Sequence, residues 1–89
     1  MSTVLIAFQT NEETIPIIAA IKADNEAAKV VYEHGMVRVT APGHLVINRD
    51  TIEILIGRPY DLQELQLNLI TLSGNLAEDD DVLTLTWHE

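Results

Sequence analysis

The sequence predicts a small α+β domain whose elements run β-α-β-β-β-α-α-β. Three observations carry that prediction. The chain is short, its apolar runs switch between strand-like and helix-like periods, and Gly, Pro, Asp or Asn punctuates nearly every junction. Its 89 residues make one domain, 1–89, with room for a modest core. The hydrophobic share of 47% argues for a folded chain rather than an acidic disordered one. The only aromatic residues are Phe8, Tyr32, Tyr60 and Trp87, so Ile, Val and Leu must fill the core.

Thr3–Gln9 contains the run VLIAF, which suits a strand covered on both faces. Polar residues from Asn11 lead to Pro16, which is tolerated only in a first helical turn, so a helix starts near Glu13 or Thr14. Ile17, Ile18 and Ile21 give it a buried stripe, and Asp24-Asn25 close it. Strands follow over 28–33 and 36–40, joined at His34-Gly35 in a tight hairpin. Pro42-Gly43 turns the chain into a short strand over 45–47. Asp50 and Glu53 have capping-box spacing ahead of Ile52, Leu55 and Ile56, with Gly57 and Pro59 as stops. Asp61 and Glu64 repeat that start signal. Leu62, Leu65, Leu69 and Leu72 then fit a helix ending at Ser73-Gly74, although Leu65, Leu67 and Leu69 also fit strand alternation. A last strand over 82–87 places Leu83, Leu85 and Trp87 on one face.

Charge narrows the possible functions. The net charge is −9, and residues 51–89 carry eight acids against one base, Arg58. Such a surface repels phosphate backbones and anionic membranes, so neither nucleic acid nor membrane is an expected partner. A basic or mixed-charge protein cleft fits better, and acidity alone also fits a generic acidic adaptor or a DNA mimic. The chain has no cysteine, which rules out disulfides and thiolate chemistry. With no leader and no apolar run near ~18 residues, the expected location is the cytoplasm.

Few residues suggest catalysis. Glu78, Asp79, Asp80 and Asp81 are adjacent, so they point in alternating directions and lack the spacing of a calcium loop. They read as a solvated loop whose charge protects the following VLTLTW strand from edge pairing. His34, His44 and His88 form no metal-ligand spacing, and Ser2 and Ser73 lie in no nucleophile context. Gly57, Arg58, Tyr60 and Asp61 form a distinctive corner between helices. Either it is structural, with Arg58 tying the acidic half together and Tyr60 packing before the cap, or it meets a partner.

Taken in order, these features resemble a known family. They are the VLIAF strand, His34-Gly35, and Arg49-x-Thr51-x-Glu53 running into Gly57-Arg58-x-Tyr60-Asp61. Asn68-Leu69-Ile70-Thr71-Leu72-Ser73-Gly74-Asn75, the acidic run and a strand ending in Trp87 follow. Over nearly the whole chain they resemble the small effector proteins of soluble di-iron multicomponent monooxygenases, most closely the phenol hydroxylase type. The resemblance implies two small sheets packed roughly at right angles with about three helices. It implies a non-enzymatic regulatory protein, without a cofactor, that docks on a hydroxylase above its di-iron centre. There it would reshape the iron-bearing helices and couple NAD(P)H oxidation to aromatic hydroxylation. A reductase with FAD and a 2Fe-2S cluster would supply electrons and compete for overlapping surface.

The Gly-Arg anchor aligns Asn68, Ile70, Thr71 and Leu72 with small polar residues that contribute to substrate and oxygen access in the methane-type effector. Asn68 and Thr71 match in type, whereas Ile70 and Leu72 are bulkier and apolar. Leu72 fits core packing equally well. With Asn75 beyond the glycine, these residues form the expected hydroxylase-binding surface. Because the chain begins at its first strand, a phenol- or toluene-type partner is expected.

Overall fold

A computed structural model describes residues 3–87, so His88 and Ser2 fall outside it. The elements are β1 (Thr3–Gln9), α1 (Thr14–Asp24), β2 (Lys29–Glu33), β3 (Met36–Pro42), β4 (His44–Asn48) and α2 (Arg49–Ile56). A 3-10 helix (Leu62–Leu67), β5 (Leu69–Ser73), β6 (Asn75–Glu78) and β7 (Val82–Thr86) complete the chain. The strands form two antiparallel sheets, ordered β2-β3-β1-β5 and β4-β7-β6. The expected α+β class and order are present, with two strands, β5 and β6, added before the last.

Those added strands correct the predicted third helix. Asp61 and Glu64 do form their capping box: the Asp61 carboxylate accepts the Gln63 N–H, and Glu64 accepts the Asp61 N–H. The helix they start is a 3-10 helix ending at Leu67, and Leu69 to Ser73 pair with β1. Helical and alternating patterns overlap in this leucine-rich stretch, and pairing with the apolar β1 decides the second half.

Ser73-Gly74 is therefore not a helix end. It is a corner where the chain leaves one sheet and enters the other, as Gly43 is between β3 and β4. Gly74 has φ +133°, and a Cβ there would lie 3.1 Å from Leu85 Cδ1 and 3.2 Å from the Thr86 carbonyl oxygen. Only glycine fits that angle without strain.

The core lies between the sheets and α1. Val4, Ile6 and Phe8 of β1, Val37 and Val39 of β3, and Leu45, Ile47, Leu83 and Leu85 of the second sheet are all buried in it. Ile17, Ile18 and Ile21 cover it from α1 as the periodicity predicts. Asn25 joins α1 to the second sheet. Its amide donates to the Ile21 and Val46 carbonyls, and its Oδ1 accepts the Val46 N–H at 2.9 Å.

The charged residues bring further corrections. The Asp50–Glu53 box does not form; α2 starts at Arg49 without a side-chain cap, and Glu53 Oε2 accepts the Tyr60 N–H at 2.8 Å instead. β7 is the central strand of its sheet, so the acidic run protects no open edge of the VLTLTW strand; its first residue, Glu78, ends the outer strand β6. Asp79 to Asp81 form the β6–β7 turn, where Asp81 pairs with the Arg49 guanidinium and its carbonyl accepts the Arg49 N–H. Arg58 lies 3.9 Å from Glu64 inside the acidic half, as expected of a residue tying it together, and Arg49 links that half to the rest through Asp81. Trp87 lies beyond β7, partly exposed rather than sharing the buried face of Leu83 and Leu85, and its indole N–H donates to the Thr3 carbonyl.

Candidate interaction surface

The predicted site residues differ in their surroundings: Ile70 and Leu72 line one groove, Asn68 is buried against the start of α1, and Tyr60 and Asp61 line a separate concavity. β5 and β6 are the outer strands of their two sheets, joined at Gly74. A groove of about 220 Å³ is lined by Ile70, Leu72, Leu76, Leu65, Leu69 and Leu83, among others. Ile70 enters as an irregularity: Phe8 pairs with Leu69 and Ala7 with Thr71, so Ile70 is the extra residue of a bulge. Its side chain is 46% exposed, and Leu76, which lines the same groove, is 41% exposed. Thr71 and Asn75 are exposed, whereas Leu72 is half-buried and packs against the core. Leucines and isoleucines in such an arrangement are unfavourable in water unless a partner covers them. Leu76 belongs to this groove although the sequence did not point to it, and Leu67, at the end of the 3-10 helix, is a further exposed leucine at 75%. Leu67 fits the strand alternation of Leu65 and Leu69, and no pattern in the sequence singles out Leu76.

Asn68 behaves differently. It is only 8% exposed and points inward. Its Oδ1 accepts from Asn11 Nδ2 at 2.7 Å, and its Nδ2 donates to Glu13 Oε2 at 3.2 Å. Its carbonyl accepts the Gln9 N–H at 2.7 Å, one residue before β5 begins. Asn11 in turn accepts the Glu13 and Thr14 N–H groups at the start of α1. This network, with Asn68 as its buried member, ties the start of β5 to the start of α1 and so helps set the register that places Ile70.

The 57–61 corner is held mostly from within. Gly57 closes α2 in the left-handed region, and the Arg58 guanidinium lies 5.9 Å from the Tyr60 ring centroid and donates to the Pro59 carbonyl. Burial, with Glu64 and Glu13 nearby, pushes the Tyr60 phenol up to about 12. Between this corner and the β6–β7 turn lies an open concavity of about 1120 Å³, lined by Glu53, Asp61, Glu64, Glu78 and Asp79 to Asp81, with Arg49 among them. Among the described residues no three His, Asp or Glu side chains converge as a metal site. Among the described residues no helix is long and apolar enough to cross a membrane.

Two sheets joined by glycine corners, with an apolar groove beside their outer strands β5 and β6, offer a surface suited to meeting another protein. Comparison with known proteins makes the class specific: residues 2–86 match the MmoB/DmpM family, and the chain belongs to it. It is 42% identical over 86 residues to the phenol 2-monooxygenase stimulatory component DmpM of Pseudomonas sp. (strain CF600), covering 97% of this chain and 96% of that one. A chain of a solved phenol hydroxylase–regulatory protein complex superposes with TM-score 0.94 at 39% identity, covering 98% of this chain and all of that one. The soluble methane monooxygenase regulatory protein B shares the fold, with TM-score 0.77 at 18% identity; this chain is similar to 65% of it.

Proposed function

We propose that this chain is the stimulatory component of a phenol-type multicomponent monooxygenase, not its catalytic subunit. It binds the di-iron hydroxylase and couples NAD(P)H oxidation to hydroxylation of an aromatic substrate. The observation carrying this reading is the nearly end-to-end match to a chain of a phenol hydroxylase–regulatory protein complex. The exposed Ile70 and Leu76 side chains of the groove support it, since a partner is needed to cover them.

A protein that supplies no reacting group changes another's chemistry only by binding its states with different affinity. The docked β5–β6 edge would favour the hydroxylase conformation that admits substrate and oxygen, with a coupling of roughly 1–3 kcal/mol being typical. Ile70, Thr71, Leu72 and Asn75 press on the partner, and the 57–61 corner shapes the rim. Asn68 sets the register of β5 from inside. A reductase carrying FAD and a 2Fe-2S cluster competes for overlapping surface, and the system works in the cytoplasm.

Calorimetry against a phenol-type hydroxylase tests the surface. Saturable binding is expected, weakened about tenfold or more by Ile70→Lys, which buries a charge at the centre of the contact. Because the contact is apolar, binding should fall only modestly with salt; a steep fall would favour an acidic adaptor. Ile70→Lys binding as tightly as the parent would overturn the assignment.

A further inference from the structure

The opposite edge of the larger sheet carries a second surface, independent of the hydroxylase reading. β2 is its outer strand, paired only with β3. Glu33 pairs with Met36 across the two-residue loop, Val31 with Arg38 and Lys29 with Thr40. In an antiparallel ladder alternate residues turn their backbone groups towards the neighbouring strand. Starting from the closing pair, Glu33, Val31 and Lys29 turn theirs to β3, and Val30 and Tyr32 turn theirs outward. One step earlier the edge is already closed: the Ala28 carbonyl accepts from Lys22 Nζ at 3.1 Å, and its N–H donates to the Asn25 carbonyl at 3.0 Å. The open edge of β2 is thus confined to Val30 and Tyr32 and centred on Val31.

The side chains there are self-complementary. Val30 packs towards the core, so Lys29, Val31 and Glu33 share the other face, with Val31 48% exposed. We propose that two copies of this chain pair β2 against β2, antiparallel about a two-fold axis at Val31, joining their four-stranded sheets. Val30 then lies opposite Tyr32 of the second copy and the two exchange backbone hydrogen bonds; the symmetry repeats this exchange. Val31 meets Val31, and Lys29 meets Glu33 on both sides of the axis. Glu33 uses Oε1 for Arg38, at 3.0 Å, which leaves Oε2 for the Lys29 ammonium. A register slipped by two residues loses these pairs, so the charges select the alignment. Such a short edge covers less than the ~1,200 Å² of a stable interface, which makes the dimer reversible and concentration-dependent. β5 lies at the far side of the sheet and stays uncovered.

Sedimentation equilibrium of the full chain from about 10 μM to about 1 mM tests this, a range suited to a weak dimer. The parent should show a reversible monomer–dimer equilibrium. Lys29→Glu and Glu33→Lys should each weaken it roughly tenfold, since each reversal acts twice across the axis. The double exchange K29E/E33K should restore the parent's affinity. Glu33→Lys also lowers the net repulsion between copies, so non-specific association would tighten where β2 pairing weakens. A parent that stays monomeric throughout overturns the proposal. So does a dimer unaffected by either reversal, or a folded double variant, checked by circular dichroism, that remains as weak as the single ones.

Discussion

Replacing Asn68 with alanine separates a residue that touches the partner from one that holds the surface in place. The side chain is buried and makes two hydrogen bonds, one with the neutral Asn11 amide and one with the Glu13 carboxylate. A neutral bond contributes about 1 kcal/mol net and one to a charged group about 1.5–3 kcal/mol. Asn11 and Glu13 are exposed and regain water when Asn68 is removed, so the net loss falls near 2 kcal/mol. At about 4–8 °C per kcal/mol for a domain of this size, Tm should fall by roughly 8–16 °C. Urea denaturation should give the same energy with an unchanged slope. A double-mutant cycle with Asn11→Ala should return a coupling of about 1 kcal/mol, because the two amides bond directly. The reasoning fails if Asn68→Ala shifts stability by less than about 0.5 kcal/mol, the range of an ordinary surface substitution.

Two further substitutions test the corners. Tyr60 ionises near 10 when unfolded and near 12 in the fold, so the unfolded chain releases its proton first. Its contribution is therefore complete below pH 10 and disappears as pH rises towards 12, amounting at most to about 2–3 kcal/mol. Tyr60→Phe should remove that part of the alkaline decline in Tm, and an identical decline in both proteins would contradict the assignment. Gly74→Ala puts a Cβ against Leu85 and the Thr86 carbonyl at an angle that L residues avoid, and should cost about 2 kcal/mol or more in urea. A loss below about 0.5 kcal/mol would mean that the sheet corner is not constrained as described.

Most of the fold was legible because its signals are local. The apolar run of β1, Pro16 in the first turn of α1, the His34-Gly35 hairpin and the Asp61–Glu64 cap each act within a few residues, and each is found where expected. What the sequence could not reveal depends on distant partners. Leu69 to Ser73 become a strand because β1 offers an edge, and β7 becomes central because β6 pairs with it. Glu53 leaves its expected cap for Tyr60, and Arg49 reaches Asp81 across the sequence. The candidate site reads in the sequence as one segment, but not as a surface. The same run holds Asn68, which points inward, and Ile70, which a bulge turns outward, and only the register across β1 separates them.

The account's central claim is that this chain stimulates a hydroxylase without reacting itself, and a titration tests it most directly. Hydroxylase and reductase of a phenol-type system are held fixed while the chain is added, and hydroxylated product is counted against NADH consumed. Alone the chain should form no product. In the mixture, product per NADH should rise and saturate as the chain is added, with Ile70→Lys requiring more protein to reach the same plateau. If both rate and product per NADH stay flat across the titration, the chain is not the stimulatory component of such an enzyme.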